Sequence, residues 1–286
     1  MPESVDKKKI LQVFKKVEMH RLIEQLIRQF STNKNDIRHI ALAQADLSNC
    51  RNVLELGCAF GSFTEALQGK LHEGAKITGL DIVPQYESFF IDACHKAGYA
   101  GEFSSSGINQ IKDYPRDSFD LIICSYALYF FPQMIPDIVR LLTKDGIFIA
   151  ITHCEDNMQE LVRITKLVMR QNGLHDEQKP LPVENIVRQF SGENGRNLLN
   201  PFFSRIMTVD FNNSLYFRPA DINFFAEYFH FKSPFFLMGT KAVAALLIDE
   251  LMDELYKAAD ENSFVTMCKN DRIFVCFDSL PPEKRK

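Results

Sequence analysis

The chain has no tryptophan, no cysteine pair spaced C-x-x-C and no surplus of positive charge. Without such pairs the common zinc modules and redox motifs are excluded, and seven scattered cysteines, an odd number, do not make a disulfide framework. That usage fits reduced thiols in the cytoplasm, and no metal is expected. Lys and Arg number 33 against 37 Asp and Glu, a formal charge of −4, so a globally basic nucleic-acid binder is disfavoured. No apolar run approaches the ~20 residues of a membrane span; the longest, residues 121–131, is interrupted by Ser125. The first nine residues are polar and lack the apolar stretch of a signal peptide. No repeat of solenoid period is present. The missing tryptophan, by contrast, excludes nothing.

What is there describes an ordinary globular protein. The 286 residues are 46% hydrophobic and 24% charged, enough core for one large α/β domain with elaborations or two modest domains. Phenylalanine is abundant at 25 residues, which points to an aromatic-rich core or pocket.

Helical spacing of apolar residues predicts an amphipathic helix over 8–30 and another over 36–46. From residue 52 the pattern becomes strand, turn, helix, strand. Strands are predicted at 52–56, 75–80, 101–104, 120–125 and 147–151, with helices at 62–71, 86–97 and 132–142 between them. Such alternation implies right-handed crossovers and a mainly parallel sheet covered on both faces. After 155 a helix is predicted over 156–170, then a polar stretch to 200. A strand pair, 205–211 with 214–217, is expected around Asn212-Asn213. Helices follow at 221–229 and 240–260, and a hairpin of 263–268 with 272–277 closes the chain.

The sharpest feature is the stretch Val53-Leu54-Glu55-Leu56-Gly57-Cys58-Ala59-Phe60-Gly61-Ser62-Phe63-Thr64. A strand that delivers glycines to a helix start presents backbone N–H groups at a positive helix end, where a ligand can approach closely. Asp81 ends the next strand, where a carboxylate can accept hydrogen bonds from ribose hydroxyls. The dinucleotide fingerprint G-x-G-x-x-G fails at Ala59 and Ser62, and no Gly-Lys-Ser/Thr makes a phosphate loop. Glu55 would repel phosphates and suits a cationic ligand.

Glu55-Leu56-Gly57-Cys58-Ala59-Phe60-Gly61 with Asp81 resembles motif I and the acidic site of class I S-adenosylmethionine-dependent methyltransferases. Phe119-Asp120-Leu121-Ile122-Ile123-Cys124-Ser125-Tyr126-Ala127-Leu128 resembles their fourth-strand motif, and residues 141–148 resemble the lead-in to strand five. The likeness covers about residues 50–155. It implies a Rossmann-like seven-stranded sheet with an antiparallel last strand, a helical N-terminal extension and helical and β insertions that form a cap. The boundaries are then 1–48 for the extension, 49–155 for the cofactor-binding core, 156–262 for insertions with the sixth strand, and 263–286 for the closing strand and tail.

The resemblance implies S-adenosyl-L-methionine as cofactor. Gly57, Cys58, Ala59 and Gly61 would shape the turn around its methionine portion, with Glu55 supporting the amino group. Asp81 would hold the ribose and Ile82 pack on adenine. Ser106, Gly107 and Ile108 fall where the family usually carries an acid near the adenine amino group, and no acid stands there. Ser125 and Tyr126 would lie beside the methyl donor.

His153, after strand five, is at the carboxyl edge where open α/β sheets bind ligands, and an imidazole there can take a proton from substrate. Tyr126 is the second catalytic candidate. Residues 201–236 hold twelve Phe and Tyr, a density that suits core packing and equally a lid over an apolar or aromatic acceptor. The expected activity is methyl transfer to a small molecule by a monomer or homodimer, in the cytoplasm. No Asn/Asp-Pro-Pro-Tyr/Phe tetrapeptide follows strand four, which with the acidic balance disfavours nucleic-acid substrates. Two alternatives stay open: other S-adenosylmethionine chemistry, such as carboxyl or aminopropyl transfer, and a non-catalytic methyltransferase-like binding module.

Overall fold

A computed structural model describes residues 12–174, 179–237, 244–281 and 283. The predicted parallel strands all form, and β1, β2 and β4 are short β-branched or aliphatic runs bounded by turn residues. They are β1 (Asn52–Leu56), β2 (Lys76–Leu80), β3 (Ala100–Ser104), β4 (Phe119–Ser125) and β5 (Leu142–His153). Later come β6 (Phe203–Phe211), β7 (Ser214–Phe217), β8 (Val265–Cys268) and β9 (Asp271–Ser279).

Seven of these make one sheet in the order β3-β2-β1-β4-β5-β9-β6. Strands β1 to β5 pair in parallel, and β9 runs antiparallel to both β5 and β6. The expected single reversed closing strand is therefore present. Successive strands leave β1 in opposite directions, β2 on one side and β4 on the other, so a crevice opens beyond the carboxyl ends of β1 and β4. Val53, Leu54 and Leu56 of β1, and Leu121 to Cys124 of β4, are buried, as strands covered on both faces must be.

The chain divides into two units. One comprises residues 35–153, 189–211 and 271–286 and holds the seven-stranded sheet. Its helices include α2 (Ile37–Leu42), α3 (Ser62–Ala66), α4 (Glu87–Ala97), α5 (Ile135–Leu141) and α8 (Gly195–Leu199). Phe90 of α4 is fully buried, and a Cβ on Gly79 of β2 would stand 2.6 Å from its ring. That helix thus lies flat on β2.

The other unit comprises residues 1–34, 154–188 and 212–270. It contains α1 (Val17–Phe30), α6 (Gln159–Gln171), α7 (Pro182–Val187), α9 (Asn223–Leu237), α10 (Ala244–Asn262) and the ribbon β7-β8. Phe30 meets Phe217 at 4.5 Å between ring centroids, and Phe217 meets Phe225 at 5.4 Å. Phe225, Phe229, Phe231, Phe235 and Phe236 are all buried, so the aromatic density after residue 212 packs largely within this unit.

Several expectations are corrected. The strand pair around Asn212-Asn213 does not form: β6 joins β9 in the large sheet, while β7 pairs with β8. The closing hairpin fails for the same reason, since β8 and β9 lie in different sheets. In both cases the short connection turns the chain from one sheet to the other, a long-range choice that alternation cannot reveal. The helix predicted at 62–71 stops at Ala66, ahead of Gly69, which takes a left-handed φ of +67°. The helix predicted at 8–30 is interrupted at Lys16 before restarting at Val17, with residues 8–11 outside the described chain. Asp36 caps α2, which ends at Leu42 rather than Asp46. Strand β5 starts five residues earlier than expected, running through Asp145 and Gly146 with a register irregularity opposite Phe119 and Leu121. Residues 240–243 of the helix expected at 240–260 lie outside the described residues, as do 175–178 of the polar stretch.

Candidate active site

Every site residue read from the sequence lies in the unit that holds the large sheet, at or just beyond the carboxyl ends of its parallel strands. Gly57 and Gly61 take φ of +69° and +72°, the left-handed region that glycine alone enters without strain. Close contact adds a second reason. A Cβ on Gly57 would come within 2.8 Å of Ala127, and one on Gly61 within 2.6 Å of Ala93. The Gly57 N–H donates to Leu80 O at 2.8 Å and the Gly61 N–H to Cys58 O at 2.8 Å, which folds the loop back over β2. Ala59 stands in the same loop with φ of +41°, the strain that follows from an alanine where the family motif has glycine.

Asp81 closes the far side of this loop. Its Oδ2 accepts from the Ala59 N–H at 3.1 Å and its Oδ1 from the Val83 N–H at 3.0 Å. Each carboxylate oxygen has a second lone pair, which leaves capacity for a vicinal diol. Burial raises the Asp81 pKa, with the backbone donors Val83, Ala59 and Ile82 pulling the other way. Ile82 is 42% exposed, and a Cβ on Gly107 would lie 2.7 Å from its Cγ2, so the loop carrying Ser106, Gly107 and Ile108 reaches this side chain.

Glu55 is buried, its Oε2 accepting the Thr64 hydroxyl from α3. Burial pushes its pKa up to about 7, opposed by the Thr64 hydrogen bond and by the Arg38 guanidinium. Cys58 is buried beside Glu55 and Asp81; burial first, then these carboxylates, hold its thiol well above the usual range, and a nucleophilic role is disfavoured. The residue set fits a ligand with a cationic amino end and a ribose: two carboxylates stand on either side of a turn that has no room for a side chain at Gly57 or Gly61.

Ser125 ends β4, and the Tyr126 N–H donates to Ile151 O of β5 at 2.8 Å. Tyr126 has φ of +55°, and its hydroxyl donates to Asp271 Oδ2 at 2.8 Å. Burial first, then the Asp271 charge, raise its pKa well above the ordinary value. His153 Nδ1 lies 2.7 Å from Asp271 Oδ1. The structure therefore joins the two catalytic candidates through a carboxylate that sequence reasoning missed, since Asp271 reads only as part of a Lys-Asn-Asp turn.

Two further side chains were missed, Thr64 under Glu55 and Arg38. Arg38 is held by both oxygens of Asp36 and donates to Ser62 O at 3.1 Å, which fastens α2 to the start of α3. Asp36 is the N-cap of α2, its side chain accepting from the Arg38 N–H at 2.9 Å. A depression at the β3 edge, lined by Glu87, Glu102 and Tyr114 among others, contains none of the predicted site residues.

A family model described as a methyltransferase domain matches residues 47–200. A trans-aconitate 2-methyltransferase of Paracidovorax citrulli is 28% identical over 145 residues, 50% of this chain and 53% of that protein. A sphingolipid C9-methyltransferase B of Emericella nidulans is 32% identical over 99 residues, 35% of this chain and 18% of that one. The chain thus spans about half the length, or less, of these curated relatives. The solved YcgJ protein of Bacillus subtilis superposes with a TM-score of 0.52 at 16% identity, over 85% of this chain and 98% of that one. The [4+2]-cyclase SpnF gives 0.53 at 13% identity, over 95% and 96%. At such identities these structures speak for the fold alone.

Proposed function

The chain belongs to the methyltransferase-domain family, and from that premise we propose that it transfers a methyl group from S-adenosylmethionine to a small-molecule acceptor of apolar or aromatic character. The observation that carries the reading is the turn from Gly57 to Gly61, left-handed at both ends and tied through Ala59 to Asp81. Such a turn beside a helix start, with a carboxylate at the end of the neighbouring strand, is built to receive the backbone-hugging part of a nucleoside ligand.

When bound, S-adenosylmethionine supplies an electrophilic methyl group on a sulfonium. The protein's part is positioning. Gly57, Cys58, Ala59 and Gly61 supply the turn, Glu55 the charge for the amino group, and Asp81 the acceptors for the ribose. Ile82 with Ser106, Gly107 and Ile108 border the adenine, and Ser125 closes the donor end. His153 and Tyr126 are assigned to the acceptor side. Holding both reactants in line removes much of the entropic barrier, and a base is required only where the acceptor must lose a proton.

With this reading go the boundaries at residues 48, 155 and 262, a cytoplasmic location and no nucleic-acid partner. Seven scattered cysteines with no pairing pattern support a reducing compartment. No helix among the described residues is long and apolar enough to cross a membrane. Because one fold hosts several chemistries, methyl transfer is tested on the protein itself. Calorimetric titration of the full chain with S-adenosylmethionine and S-adenosylhomocysteine is expected to show micromolar binding of both. Absence of binding by either ligand overturns the reading in favour of a partner-binding module.

A further inference from the structure

His153 is the last residue of β5 and Asp271 the first of β9, and the two are direct partners in the antiparallel register. Asp271 is 3% exposed. A carboxylate so buried needs compensation for lost hydration. It has it: Oδ1 faces His153 Nδ1 at 2.7 Å, and Oδ2 accepts the Tyr126 hydroxyl at 2.8 Å. An ionised carboxylate only accepts hydrogen bonds, so a neutral His153 carries its proton on Nδ1 and keeps the lone pair on Nε2. The imidazole packs against two tyrosines, Tyr126 at 4.8 Å and Tyr129 at 5.8 Å between centroids, with interplanar angles of 30° and 21°. The ring is 21% exposed, so part of it meets solvent.

Strand β4 separates β5, which ends in His153, from β1 and its glycine turn. Leu56 of β1 pairs with Cys124 of β4, Ser125 of β4 pairs with Ile151 of β5, and Ala127 is the side chain that a Cβ on Gly57 would strike. Asp271 therefore fixes the tautomer and direction of a histidine at the edge where the acceptor is expected.

We propose that Asp271 is the positioning residue of a His153 general base, and that the acceptor is a hydroxyl compound, an alcohol or phenol, whose proton His153 removes as the methyl arrives. This rests on the methyltransferase reading. In the step the acceptor oxygen forms a bond to the methyl carbon while the sulfur–carbon bond opens with its electron pair going to sulfur. The hydroxyl proton passes to Nε2. The positive charge lost from sulfur reappears on the imidazolium, against Asp271 and two aromatic faces, and the proton then leaves to water. A carboxylate acceptor, already ionised, has no use for such a base.

The test uses the full chain with 15N-labelled histidine, His153→Gln assigning the resonance. At pH 8 His153 is expected to show a protonated Nδ1 and a bare Nε2. In Asp271→Asn the Tyr126 hydroxyl claims the amide oxygen, which turns the NH2 toward Nδ1 and moves the proton to Nε2. Turnover of phenol and 1-octanol is then expected to fall about a hundredfold or more, the usual scale for a lost general base, with S-adenosylhomocysteine affinity unchanged. A doubly protonated ring at pH 8, an unchanged tautomer in Asp271→Asn, or turnover of phenol and 1-octanol that Asp271→Asn leaves unchanged overturns the inference. Failure to bind S-adenosylhomocysteine overturns the underlying reading instead, and leaves the tautomer result standing.

Discussion

The Asp81 carboxylate accepts a hydrogen bond from the Ala59 N–H at 3.1 Å, across the gap between the end of β2 and the loop that follows β1. One residue thus braces the glycine turn, and under the proposed reading its remaining lone pairs would accept from the ribose. The Val83 N–H on its other oxygen fixes its orientation.

Replacing Asp81 by Ala removes the carboxylate from ligand and loop together. Binding of S-adenosylmethionine is expected to weaken by about 1.5–3 kcal/mol, or roughly ten- to a hundredfold. Titration calorimetry of the variant against the native chain checks it; an unchanged affinity would remove Asp81 from the site.

Gly61→Ala places a Cβ on a residue with φ of +72° and within 2.6 Å of Ala93 and 3.3 Å of the Phe90 Cα. Neither contact lies at the far end of a flexible side chain. The strained backbone alone costs on the order of 1–3 kcal/mol, and the clash adds to it. Urea unfolding should show a lower midpoint, and a midpoint at or above that of the native chain would contradict the described turn.

Glu55 makes stability fall with pH. Its pKa is about 7 in the folded protein against an ordinary 4.5, because burial disfavours the charged form. Between those values the folded state binds more protons than the unfolded one, so its contribution is complete below pH 4.5 and is lost as pH rises through 7. The full loss is about 3 kcal/mol. Unfolding of the ligand-free protein at pH 5 and pH 8 measures it, and Glu55→Gln, which cannot ionise, should flatten the difference.

Phe90→Ala tests the packing that holds the site in place. The ring is fully buried and covers Gly79 of β2, while the same helix abuts Gly61. A cavity of this kind costs about 3–5 kcal/mol. Chemical denaturation gives the number, and a loss below 1 kcal/mol would mean that α4 repacks.

The parallel half of the sheet was legible because each strand, turn and helix is written in one contiguous stretch. Residues 52–62 carry an apolar run, two glycines and a helix start, and the fold places these as read. Where the pairing partner lies far along the chain, the reading failed. Ser214–Phe217 has the alternation of a hairpin arm, yet its partner is Val265–Cys268 rather than the neighbouring strand.

The sequence by itself determined the glycine turn, its two carboxylates and the edge of the sheet on which His153 stands, since these follow from local backbone requirements and strand order. Only the tertiary structure decided what His153 touches. Asp271 lies 118 positions from His153 and 145 from Tyr126. It reaches both because β9 slots antiparallel beside β5, in a register set by the apolar packing of Ile273, Val275 and their neighbours rather than by any signal around Asp271.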